Sequence, residues 1–150
     1  MNDLLDKIDR LFDKETSAAY QNLKDLEELS EKEDKLYPFF DDFLEMLKSD
    51  KYAVRVRGFR LICKQAKWDA ENKIDRHIDE ILKLLNDEKP TAVGQALQFL
   101  SRDVIPHKKE LHTAIQQAVS SINFSKFNAD TMRPLLQREA DKLIKQINER

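Results

Sequence analysis

Residues Leu47–Ile62, LKSDKYAVRVRGFRLI, decide how the chain folds, because a shift of 38 residues lays them on Leu85–Leu100, LNDEKPTAVGQALQFL. Leu47 meets Leu85, Asp50 meets Glu88, Gly58 meets Ala96, Leu61 meets Phe99 and Ile62 meets Leu100. The match continues upstream, where Leu36, Phe40, Phe43, Leu44 and Met46 meet Ile74, Ile78, Ile81, Leu82 and Leu84. A period of this size marks helix-turn-helix units that bury their apolar faces only by stacking on neighbours. Gly58 and Ala96 occupy one place in the second helix of each unit, where a small side chain lets paired helices approach closely.

Working outward, Pro38 suits the first turn of a helix over 39–48, Ser49-Asp50-Lys51 turns the chain, and a second helix follows over 52–67. Asn72 or Asp69 opens the next unit, with helices expected over 73–86 and 91–103 and a turn at 86–90 ending in Pro90. A third, less regular pair begins at Pro106, runs to about Ser121, and closes with a helix opened by Asp130 or Thr131 that carries Leu135, Leu136, Ala140, Leu143, Ile144 and Ile147. Phe124 and Phe127 in the connection read as an apolar plug at that end. Upstream, Leu4, Leu5, Ile8, Leu11, Ala19, Leu23 and Leu26 recur at helical spacing, and Thr16 or Ser17 is placed to cap a second helix there. Leu5, Phe12, Ala19 and Leu26 fall seven apart, but polar Glu15 and Asn22 spoil a coiled-coil seam, so 1–35 reads as an acidic end cap. The expected plan is one domain over 1–150, with helix pairs at 36–67, 72–104 and 106–148.

Composition agrees with an all-α fold. In a chain of 150 residues, 41% apolar and 36% charged, two glycines and four prolines supply too few turn residues for an all-β or doubly wound architecture. No apolar run is long enough to span a membrane, and the opening residues lack the pattern of a signal peptide, so a cytoplasmic location is expected. The lone Cys63 fits a reducing compartment and, on an apolar helix, reads as a buried, inert thiol. Charge is unevenly spread: residues 1–50 carry 7 Lys/Arg against 15 Asp/Glu, and residues 51–150 carry 19 against 13. A split of this kind orients partners or favours head-to-tail contacts at low salt.

The Leu47–Ile62 stretch resembles the core of a HEAT repeat, in which a turn aspartate precedes Val-Arg, a small residue and a Leu pair. The resemblance implies a right-handed α-α superhelix, a solenoid of HEAT-like (armadillo-type) hairpins, with Asp50 and Arg55 as the residues that pair between neighbouring repeats. Val93 stands where the second unit would carry its arginine. Similar small bacterial chains are sometimes named after the SufBD iron–sulfur assembly proteins, but one cysteine cannot hold a cluster.

On a helix over 52–67, Arg57, Arg60, Lys64 and Lys67 gather on one face. Second helices line the concave side of stacked repeats, so this basic stripe, continued by Gln95, Gln98 and Arg102, is the candidate surface for a protein partner with an acidic face. The same stripe is also what a solvated helix face needs for solubility. The alternative is a nucleic-acid (DNA) binding protein related to the alkylation-repair HEAT-like glycosylases, with Trp68 and Asp69 as aromatic cradle and carboxylate. Adjacent residues leave a helix about 100° apart, which argues against one shared cavity. His77, His107 and His112 form no zinc-hydrolase spacing, and no phosphate loop, Cys-x-x-Cys pair or nucleophile elbow occurs. A non-catalytic scaffold without metal or cofactor is therefore expected.

Overall fold

Gly58 lets helix α4 (Tyr52–Lys64) lie directly against α3 (Phe40–Met46). A Cβ at this glycine would stand 2.6 Å from Met46 Cβ and 2.7 Å from the Phe43 carbonyl oxygen, so any larger residue forces the two helices apart. The computed structural model describes residues 2–12 and 16–149, apart from the side chains of Asn2, Asp3 and Thr16, and these residues form helices and turns with no strand among them. The candidate cap Thr16 and the seam position Glu15 lie outside the described side chains, while Ser17 falls inside a helix rather than before it.

The acidic segment forms two helices, α1 (Asn2–Arg10) and α2 (Thr16–Lys32). After α3 and α4 the second unit departs from the expected continuous helix. It breaks into α5 (Lys73–Arg76), α6 (Ile78–Ile81) and a 3-10 segment, Leu82–Asn86, before α7 (Pro90–Phe99). The break falls at His77, whose φ of −114° and ψ of 18° leave the helical region. Of the two residues expected to open this unit, Asp69 supplies the cap: its carboxylate accepts from the amides of Lys73 (2.8 Å) and Ile74 (2.9 Å). Asn72 instead takes a left-handed φ of 55°, which asparagine tolerates better than most residues.

Pro90 sits in the first turn of α7, where its missing amide costs nothing. Past α7 the helix widens into a π segment, Leu100–Val104, and turns at Pro106, so the third pair starts later than expected, with α8 (His112–Ser120) and then α9 (Met132–Asn148). Phe127 is buried and Phe124 packs on the core between them. Arg133 fixes this loop by donating to the carbonyls of Phe124 (3.0 Å), Ser125 (2.9 Å) and Phe127 (3.0 Å).

Helix α4 is central. It packs on α2, α3 and α7, while α7 in turn packs on α9 and on Leu82–Asn86, and α8 packs on α9. A single apolar cluster runs from Ile8 to Ile147 and includes Ile8, Leu11, Leu23 and Leu26 of the acidic segment. Arg55 ties the turn before α4 to the turn before α7, but through Asp87 (2.8 Å) rather than Asp50, while its other arm donates to the Ser49 carbonyl (2.9 Å).

Candidate functional site

The basic row of α4 is not an open surface. Arg57, Arg60 and Lys64 are only 5, 9 and 9% exposed, which corrects the expectation that they stand outward on a concave face. The cause is α2. Arg60 holds Glu27 by two bonds of 2.8 Å, Gln65 donates to Ser30 (3.0 Å), Lys64 meets Glu31 (2.6 Å), and the Trp68 indole donates to the Ser30 carbonyl (2.6 Å). Partner numbers rise together on both helices, so α2 runs parallel to α4 and lays its acids on the row. Buried cations need such partners, because an unpaired charge out of water is costly. Arg57 donates to the Leu11 carbonyl at 2.8 Å.

The other flank of α4 is tied in the same way. Arg60 donates to Gln95 (3.1 Å) and its guanidinium lies 4.5 Å from the Phe99 ring centre, and Lys64 also reaches Asp103 (3.3 Å). Burial opposes the Lys64 ammonium, yet Glu31 and Asp103 hold it charged above its ordinary range. Lys64, with Lys67 beside it, holds the Glu31 carboxyl below its usual range. Burial pushes the Asp103 carboxyl up in spite of Lys64. Lys67 is half-buried and donates to both the carbonyl (2.6 Å) and the carboxylate (3.1 Å) of Glu31. Of the remaining candidates Gln95 is half-buried, and Gln98 and Arg102 are exposed, with Arg102 lying over Phe99.

Trp68 and Asp69 face different neighbours. Trp68 closes on α2, whereas Asp69 is the centre of a buried network in which Tyr37 (2.6 Å) and Lys108 (3.0 Å) join the two amides of α5. Lys108 also bonds Asp75 (2.7 Å). Burial alone would raise the Asp69 carboxyl, but Tyr37, the Ile74 amide and Lys108 bring it below its ordinary range. The Tyr37 phenol is pushed up to about 12, first by burial and then by the Asp69 carboxylate. Every one of these contacts orders the second unit, and none leaves the carboxylate open to a substrate. Among the described residues no three His, Cys, Asp or Glu side chains converge as metal ligands do, and no helix is long and apolar enough to cross a membrane.

What stays open above α4 is a groove walled by α2 and α7. Its apolar part, about 430 Å³, has Tyr20 and Leu23 on one side, Thr91 and Gln95 on the other, and Ala53 and Val56 at the floor, with Tyr52 at its mouth. It continues past Arg60 into a charged stretch of about 460 Å³ reaching Lys24, Glu31 and Arg102. Tyr20 and Tyr52 are 53% and 40% exposed, and sequence reasoning passed over both. Their one signal was an aromatic ring on the polar side of an otherwise amphipathic helix. No family model matches the chain, and no curated protein or solved structure matches it significantly.

Proposed function

We propose that the chain is a non-catalytic protein-binding scaffold, a right-handed α-solenoid of HEAT-like hairpins whose groove over α4 receives a partner with an acidic face. The solenoid reading is supported by the polar ties between hairpins. Arg55 to Asp87, Arg60 to Glu27, Lys108 to Asp75 and Trp68 to Ser30 all join residues 32–38 apart, close to the sequence period. The observation that carries the binding reading is the groove itself: α4 forms its floor, and the neighbouring second helices α2 and α7 form its walls. The acidic partner is supported by the groove's outer cations. Lys24 lies over Tyr20 (5.8 Å), Lys89 over Tyr52 (5.6 Å) and Arg102 over Phe99 (5.1 Å). The nucleic-acid alternative draws no support from α4 and the turn after it, where Arg60, Lys64 and Lys67 already hold carboxylates.

A photocrosslinking residue placed at Tyr52 or Gln98 should form a discrete protein adduct in cells, while the same residue at Asp42, exposed on α3, should not. Adducts from Asp42 alone would place the binding surface elsewhere.

A further inference from the structure

Resting on that reading of the groove, we propose that its occupant is an amphipathic helix of a partner protein, with an apolar stripe seated between Tyr20 and Tyr52 and flanking carboxylates on Lys24 and Lys89. Three observations lead there. The first is the floor. Ala53, Val56 and Leu23 are apolar, and the two tyrosines that rise beside them are among the most exposed large apolar side chains described. Tyrosine at such a place offers a large, rigid contact with a polar tip, which is the composition of an interface anchor rather than of plain surface.

The second observation is the backbone. The groove is bounded by α2, α4 and α7, whose mid-helix amides and carbonyls are satisfied within their own helices, and it presents no sheet edge to an incoming strand. An extended segment laid over an apolar floor would leave its own amides and carbonyls without partners, at a cost of about 1–3 kcal/mol for each one desolvated. A helix carries its backbone bonds with it. The stretch of α4 that lines the apolar part, Tyr52 to Arg60, gives a floor of about 12 Å, enough for roughly two turns of a guest helix.

The third is charge. Among the described residues lining the apolar part of the groove there are two arginines and no carboxylate, and lysines stand over both tyrosine rings. Arg60 is already occupied by Glu27 and Gln95, so the charge offered to a guest comes from the rim lysines. Beyond Arg60 the groove sets Lys24 and Arg102 beside Asp25 and Glu28, so acidic flanks are matched and basic flanks opposed only at the Tyr20–Tyr52 end.

The test uses the full chain and three labelled synthetic peptides of about 18 residues that share one leucine stripe at helical spacing. One has glutamate flanks, one lysine flanks, and one glutamate flanks with two interior prolines that prevent a helix. By fluorescence anisotropy the glutamate-flanked helix should bind about tenfold or more tightly than either of the others, and Tyr20→Ala with Tyr52→Ala should remove about tenfold of that affinity. Lys24→Glu with Lys89→Glu should transfer the preference to the lysine-flanked peptide. Equal, tyrosine-dependent binding of the lysine-flanked or the proline peptide would overturn the acidic helix while leaving the groove as a protein-binding site. Binding indifferent to both tyrosines, or a single-stranded oligodeoxynucleotide that outcompetes the peptide, would overturn the proposal. The crosslinks from Tyr52 judge the groove reading separately.

Discussion

Glu27→Gln tests whether α2 seals the basic row. The Arg60 and Glu27 side chains are 11 and 10% exposed and joined by two bonds of 2.8 Å. The substitution turns one carboxylate oxygen into an amide that cannot accept from the guanidinium, and leaves a buried cation without its counter-charge. Removing one partner of a buried pair costs about 3–5 kcal/mol. Arg60 keeps its bond to Gln95 and its place over Phe99, so the lower end applies. A loss of about 3 kcal/mol lowers the melting temperature of a chain this size by roughly 6–12 °C. Urea unfolding should show the same loss as a lower midpoint, with little dependence on moderate salt because the pair is shielded from solvent. Glu28→Gln is the matched control. Among the described residues Glu28 pairs with Lys32, at 3.7 Å and largely in water, so its loss should stay within about 0.5 kcal/mol. Glu27→Leu combined with Arg60→Met should recover most of the stability, since an apolar pair of similar volume replaces the ions. If Glu27→Gln proves as harmless as Glu28→Gln, Arg60 reaches solvent and the outward basic face is reinstated.

Four further outcomes follow from the packing. Gly58→Ala gains helix propensity but drives a Cβ into Met46 and the Phe43 carbonyl, and thermal melts should show a net loss of about 1–3 kcal/mol; a stabilised variant would show that α3 and α4 can separate freely. Because the Tyr37 phenol is raised to about 12 in the fold against 10.0 otherwise, its stabilising effect is complete below pH 10 and fades as pH climbs toward 12, so Tyr37→Phe should flatten the alkaline side of the stability profile. Asp69 is lowered, so its effect is present above its unfolded value of 3.8 and disappears as pH falls through the folded one, and Asp69→Asn should flatten the acid side. Burial pushes the Cys63 thiol well up and shields it, so a thiol-specific chromogenic reagent should react only as fast as the protein unfolds; rapid native labelling would contradict the packing of α4.

The all-helical class was legible because it depends on local signals. Gly58 marked a close helix contact from its place in the repeat, and Asp69 was one of two residues expected to open the second unit. The break at His77 was not legible, since the run 73–86 keeps helical spacing across it and only the backbone angles reveal the kink. The exposure of the basic row was misjudged for a different reason. A helical wheel gives the direction in which Arg57, Arg60 and Lys64 leave α4, and it is silent about what lies in that direction. The missing clue was on another helix: Glu27 and Glu31 are four apart on α2, as Arg60 and Lys64 are on α4. Two such ladders of opposite sign on neighbouring helices of one row pair with each other before they meet a partner.

That pairing changes what the charge asymmetry of the chain is for. Part of the excess acid before residue 50 and part of the excess base after it meet inside the molecule, along the seam where α2 lies on α4, and Asp103 takes up Lys64 from the opposite side. Helix α4 thus bolts its two neighbours together through its cations, and side chains bonded on both flanks are poorly placed to bind anything else. Among its described residues only Tyr52 is exposed and Ala53 and Arg55 are half-buried, all in the first turn. Arg55 is occupied by Asp87 and Ser49. On the proposed binding reading, recognition by this face shifts away from the arginines that composition singles out and onto Tyr52, with Tyr20 across the groove. Replacing those tyrosines should cost binding without stability, whereas replacing Arg60 should cost stability first.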